Sequence, residues 1–260
     1  MKALTDIGQH FLTDASIAAQ MVEDARPISG EHVWEIGPGT GILTRELIKS
    51  GMKVTAFEID RRMQPLLQKE FGDQLELIMR DVLRIKWQDE LSKFHKIKII
   101  ANIPYQITSP LLYRIEEFSD YLELAVLMIQ KEVAQRLAAI PGTKEYGVLT
   151  LRMRLKYDIE ILRLVGKELF DPPPKVESAI IRITHRQNPP FIKDYTLFNK
   201  LVNQAFIHRR KTLRNNLKSL FGEDKTEALH LSSGIDFHRR GETLSETEFI
   251  TLCDCAANLQ

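Results

Sequence analysis

The chain has 260 residues, 43% hydrophobic and 27% charged, with 36 Lys/Arg against 35 Asp/Glu for a formal net charge of +1. That balance fits one large globular domain, or one carrying a smaller satellite, and excludes a disordered or fibrous chain. Apolar runs such as 97–103 and 122–129 are too short to span a bilayer, and the N-terminus has no signal- or transit-peptide character, so the expected setting is cytoplasmic with no membrane partner.

Before the first strand, Gly8-Gln9-His10-Phe11-Leu12 forms an arm anchored by Phe11 and Leu12. Short β-rich runs at 33–36, 54–58, 75–78, 97–101 and 124–129 read as buried strands. Helical patterns at 40–49, 61–70 and 110–118 lie between them. Strict alternation predicts βαβ units and a parallel sheet covered on both faces. Two further strands at 159–165 and 179–184 follow a longer excursion and are expected to close one edge as an antiparallel pair, giving seven strands. Asn188-Pro189-Pro190 breaks that pattern, and Leu197, Leu201, Ala205, Leu213, Leu217 and Leu220 then recur at helical spacing. The expectation is an α/β Rossmann-like domain over 1–188 and a small all-helical domain over 189–260.

The segment Val33-Trp34-Glu35-Ile36-Gly37-Pro38-Gly39-Thr40-Gly41 turns the first strand into the first helix. Glycines at such a turn let a ligand approach the backbone with no Cβ in the way. Their spacing departs from the dinucleotide G-x-G-x-x-G, and a carboxylate at Glu35 suits a cationic ligand better than a pyrophosphate. Glu58, ending the second strand, can accept both hydroxyls of a ribose, and Asp81, ending the third, can accept from an adenine amino group. Singly these are ordinary strand-end carboxylates. As an ordered set they ask for a cationic adenosine without phosphates, S-adenosylmethionine, with NAD the competing cofactor.

After the fourth strand comes Asn102-Ile103-Pro104-Tyr105, which resembles the N/D-P-P-Y motif of methyltransferases acting on exocyclic base nitrogens. An adenine N6 lone pair is delocalised into the ring and is a poor nucleophile. Two acceptors on its N–H groups favour a tetrahedral nitrogen aimed at the sulfonium methyl; the Asn102 side-chain oxygen and the Ile103 carbonyl supply them, with Pro104 fixing the backbone between. Tyr105 offers one aromatic face to a flipped base, and Phe170, beside Pro172-Pro173-Pro174, is placed to cover the other. For Phe170 the plain alternative is core packing.

With these motifs the chain resembles the KsgA (RsmA) family of ribosomal RNA adenine N6-dimethyltransferases. Further blocks carry the resemblance along nearly the whole chain: residues 8–12, 130–137, Tyr146-Gly147, 170–178, 209–217 and 239–245. It implies a class I methyltransferase sheet and an arm closing over the methionine end of the cofactor, lined by His10 and Leu12. It further implies transfer to two adjacent adenosines of small-subunit ribosomal RNA, in the hairpin loop near the 3′ end, by a monomer acting on a pre-30S particle. Small departures are Ile103 for the usual Leu, His10 for Asn and Gly241 for Ala.

Arg209, Arg210, Lys211, Arg214 and Lys218 occur in a stretch without a carboxylate, and Lys211, Arg214 and Lys218, with Arg210 alongside, lie opposite an apolar stripe of Leu213, Leu217 and Leu220. Such a stripe is either a solvated helix face or a set of phosphate contacts; beside a base-methylating motif the RNA role is favoured. Arg239 and Arg240 extend it. Cys253 and Cys255 lack a second ligand pair and the seven histidines lack metal spacing, so no metal is expected. The competing functions are an Erm-type methyltransferase of large-subunit RNA, an assembly or transcription factor that keeps the fold without the reaction, and a small-molecule methyltransferase.

Overall fold

The computed structural model describes residues 9–259; Gly8, the first residue of the N-terminal block, lies outside them. In chain order the first unit contributes β1 (Phe11–Leu12), α1 (Ala15–Asp24), β2 (His32–Ile36), α2 (Ile42–Lys49), β3 (Lys53–Phe57), α3 (Gln64–Phe71) and β4 (Leu75–Ile78). It continues with α4 (Trp87–Leu91), β5 (Ile97–Asn102), α5 (Thr108–Glu117) and β6 (Leu122–Gln130), which leads into α6 (Lys131–Leu137). After α7 (Val148–Lys156) come β7 (Tyr157–Val165), β8 (Phe170–Asp171) and β9 (Ser178–His185). The remaining helices are α8 (Tyr195–Phe206), α9 (Leu213–Phe221), α10 (Glu223–Ser233) and α11 (Glu246–Ala257).

Seven strands form one sheet in the order β4-β3-β2-β5-β6-β9-β7. The pairs β2–β3, β3–β4, β2–β5 and β5–β6 are parallel, while β9 runs antiparallel to both β6 and β7. The central strands are buried on both faces, as their near-continuous apolar sequences require. Chain order reverses direction between β2 and β5, so the crevice beyond their carboxyl ends is the topological switch point where open α/β sheets bind ligands. Helix α1 lies outside the sequence expectation. Asp14 caps it, its carboxylate accepting from the Ser16 amide at 2.8 Å, and Ala18, Met21 and Val22 form its buried face.

The chain divides into two compact units, one of the described residues up to Gln135 with Tyr157–Arg186, the other of Arg136–Lys156 with 187–259. The segment Arg136–Lys156 therefore leaves the first domain that the sequence assigned it to. Tyr146, Leu151 and Leu155 are buried in one cluster with Leu197, Leu201, Leu213, Leu217 and Phe249 of the helical unit, and that burial decides their membership. Leu220 is a second departure: it is 38% exposed rather than part of the apolar stripe.

Candidate methyl-transfer site

Strand register brings the glycine turn and the Asn102 motif to one level. Trp34 pairs with Ile99 across β2–β5, which sets Gly37 level with Asn102; Ile36 pairs with Phe57 across β2–β3, which sets Gly37 level with Glu58. Gly37 and Gly39 hold φ of +71° and +53°, a region costly for other residues. A Cβ on Gly39 would stand 3.0 Å from the Phe11 ring. These positions line one cavity together with His10, Leu12, Asp81, Ile103, Pro104, Tyr105 and Phe170.

Asn102 ends β5 with its amide nitrogen 3.5 Å from the His10 carbonyl. Among the described residues nothing donates to its Oδ1 or to the Ile103 carbonyl. The Ile103 amide donates to the Met128 carbonyl at 3.0 Å, fixing the peptide between the two acceptors. The Tyr105 hydroxyl bonds Ser178 Oγ at 2.8 Å, and burial pushes its phenol pKa up, so it stays neutral. Phe170 is 3% exposed and pairs with Leu12 in a two-stranded ladder that joins β1 to β8. The N-terminal arm is thereby part of the cavity wall. His10 Nδ1 lies 2.7 Å from the Pro172 carbonyl, and its ring centroid 5.7 Å from that of Tyr105.

Glu58 is 5% exposed and sits just past β3 rather than in it. Its carboxylate accepts the amides of Gly39 at 3.2 Å and of Ile59 and Asp60 at 2.8 Å. Burial pushes its pKa above the ordinary value against the pull of those donors. Asp81 lies three residues beyond the end of β4, in the following loop, where its Oδ1 accepts the Leu83 amide at 2.9 Å.

Glu35 is corrected. It lies in β2, is 1% exposed and does not line the cavity; Thr44 Oγ1 donates to its Oε2 at 2.7 Å. Burial pushes its pKa up to about 8, so at neutral pH it is mostly uncharged and is no counter-ion for a cationic ligand. Its place is under the glycine turn, tying the end of β2 to the first turn of α2.

The model of the ribosomal RNA adenine dimethylase family matches residues 1–258. The chain belongs to that family. It is an S-adenosylmethionine-dependent ribosomal RNA adenine dimethyltransferase with a class I methyltransferase fold. Among curated relatives, "Ribosomal RNA small subunit methyltransferase A" of Lactobacillus helveticus is 38% identical over 97% of this chain and 90% of its own length. The protein of that name from Clostridium botulinum strain Okra is 40% identical over 96% of this chain and 92% of its own. A dimethyladenosine transferase from Plasmodium falciparum superposes with a TM-score of 0.78 at 28% identity, covering 94% of this chain and 96% of that one. The 23S rRNA methyltransferase ErmE gives 0.70 at 26%, covering 95% and 99%.

The cavity of this dimethylase fits an unphosphorylated nucleoside cofactor. Glu58 and Asp81 face it, Arg80 is the sole Lys or Arg in its lining among the described residues, and the turn offers Cβ-free backbone. Ile59, 56% exposed, and Val82 also line it, and the sequence pattern did not single them out. Each is next to a carboxylate, Ile59 to Glu58 and Val82 to Asp81, and that adjacency was the available signal for an apolar wall against a flat base.

The cationic stretch is less open than its sequence. Arg209, Arg210 and Lys211 precede α9 in a turn instead of sharing its face. Arg209 donates to the Tyr146 carbonyl at 3.0 Å and pairs with Glu242 at 2.9 Å. Arg214 pairs with Glu227 and Lys218 with Glu223, carboxylates brought in by α10. Arg239 is tied to Glu248 and to the Thr243 carbonyl. The side chains of Arg210, Lys211 and Arg240 are exposed and have no such partner among the described residues. Nor do the described residues include a His/Cys/Asp/Glu group arranged for a metal, or a helix long and apolar enough to cross a membrane.

Proposed function

We propose that this dimethylase acts on small-subunit (16S) ribosomal RNA, placing two methyl groups on N6 of each of two adjacent adenosines in the hairpin loop near the 3′ end, as a cytoplasmic monomer working on pre-30S particles. The observation that carries the reading is the pair of unused acceptors, Asn102 Oδ1 and the Ile103 carbonyl, at the switch point beside the Gly37 turn and Glu58. The names of curated relatives at 38% and 40% identity support the small subunit as substrate.

Bound S-adenosylmethionine supplies an electrophilic sulfonium methyl. Glu58 would hold its ribose hydroxyls, Asp81 its adenine amino group, and Gly37 and Gly39 leave room along its length, with His10 and Leu12 closing the methionine end. Asn102 and Ile103 orient the target N6, and Tyr105 and Phe170 cover the faces of a base drawn out of its stack. Orientation of this kind contributes up to roughly 7–11 kcal/mol, so no strong general base is required. The N6 proton is released after transfer to water. Arg210, Lys211 and Arg240 supply free positive charge for RNA phosphates, and Arg209, Arg214 and Lys218 chiefly hold the helical unit together.

The test is transfer of tritiated methyl groups to purified unmethylated subunits. Label in N6,N6-dimethyladenine of the small subunit alone is expected. The superposition on ErmE keeps the large subunit as the competing substrate, and label there overturns the reading.

A further inference from the structure

Gln9 is the point where the N-terminal arm meets the loop that carries Glu58. Its Nε2 donates to Asp60 Oδ2 at 2.9 Å, and its Oε1 accepts from Arg62 Nη2 at 3.1 Å. Asp60 is 6% exposed, and its two carboxylate oxygens take the Arg62 guanidinium as well, with contacts from 2.6 to 3.1 Å. The Arg62 guanidinium holds the Asp60 carboxyl well below the usual carboxylate range, so this is a charged pair at any working pH. A Gln side chain, donor at one end of its amide and acceptor at the other, bridges such a pair without adding charge.

Two paths leave this contact. Through the backbone, the Asp60 amide donates to Glu58 Oε1 at 2.8 Å, so the ribose-binding carboxylate is held by the residue that Gln9 holds. Along the arm, the next residue is His10, whose carbonyl faces the Asn102 amide and whose ring reaches Pro172. Phe11 lies against Gly39, and Leu12 pairs with Phe170. Four consecutive residues thus touch the ribose loop, the glycine turn, the acceptor amide and the base-side wall.

We propose that Gln9, Asp60 and Arg62 form a clasp through which an occupied cofactor site sets the position of the arm, and with it the Asn102 and Phe170 walls that receive the target adenine. All three are positioning residues: Asp60 and Arg62 do not line the cavity, and Gln9 borders it at the start of the arm. The proposal rests on the function given above, and its signature is energetic: cofactor and RNA strengthen each other's binding, and the clasp carries that coupling.

The experiment measures binding of S-adenosylhomocysteine, and of unmethylated small subunits with and without it, for the wild type and three variants, with thermal unfolding as the control for folding. Gln9→Ala is expected to weaken S-adenosylhomocysteine about tenfold, the scale of a lost charge-assisted hydrogen bond, and to bring the RNA-affinity ratio close to one. Gln9→Glu sets two carboxylates together and is expected to do at least as much. Adding Asp60→Asn to Gln9→Glu moves the carboxylate across the contact: the new amide at position 60 donates to the new carboxylate at position 9, which takes over the Arg62 Nη2 bond that position 60 loses, and coupling is expected to return in part. Coupling retained in Gln9→Ala, absent in the wild type, or unrestored in the double variant overturns the clasp. Failure of the wild type to bind S-adenosylhomocysteine at all overturns the underlying function instead.

Discussion

The Tyr105 hydroxyl is held 2.8 Å from Ser178 Oγ, and Ser178 is the fully buried first residue of β9. The phenol is thus anchored at its rim while Tyr105 lines the cavity, where the proposed function gives its ring to the target base. Tyr105→Phe removes one hydrogen bond and is expected to cost no more than about fivefold in kcat/KM. Tyr105→Ala removes the stacking face, worth about 1–3 kcal/mol, and is expected to cost roughly five- to hundredfold. Single-turnover methylation of small subunits checks this; equal losses in the two variants would assign the role to the hydroxyl.

Glu35 makes fold stability depend on pH. Its carboxyl is raised from an ordinary 4.5 to about 8 by burial. Below about pH 4.5 both folded and unfolded forms carry the proton, and the folded state pays nothing for ionisation. Above that the unfolded chain releases it first, and stability falls with rising pH, at most about 1.4 kcal/mol per unit, until the pH passes about 8. Denaturant unfolding between pH 5 and pH 8 is expected to show this decline in the wild type and a flatter curve for Glu35→Gln. Parallel curves would mean that Glu35 is ionised in the fold.

The cations of the helical unit divide by partner. Charge reversal at Arg210 and Lys211 is expected to weaken RNA binding and to flatten its salt dependence by about one to two counterions. Arg214→Ala removes a charge that Glu227 already offsets, so its salt slope is expected to stay near that of the wild type. Binding to small subunits across a salt series distinguishes them; a large slope change in Arg214→Ala with none at Arg210 and Lys211 reverses the assignment.

What the sequence made visible was local. β-branched runs marked the seven strands, and the Gly37 turn and Asn102 motif stood at strand ends, so the switch-point site followed from alternation. The misreadings came from tertiary contacts. Nothing near Arg214 or Lys218 in sequence shows that α10 will bring Glu227 and Glu223 against them. Nothing around Glu35 distinguishes a carboxyl facing the cavity from one turned beneath the glycines onto Thr44. The membership of Arg136–Lys156 likewise depends on which core buries Tyr146, Leu151 and Leu155. Ser245 closing a capping box with Glu248 is the converse, a local signal marking the start of α11.

In the proposed reaction Asn102 Oδ1 grips the target amino group. The most direct test of that contact is single-turnover methyl transfer by Asn102→Ala on unmethylated small subunits, paired with calorimetric binding of S-adenosylmethionine to the same protein. The expected result is transfer reduced by about a hundredfold or more, with cofactor affinity within a few-fold of wild type. Transfer at near wild-type rate, or a loss explained entirely by failure to bind cofactor, would contradict it.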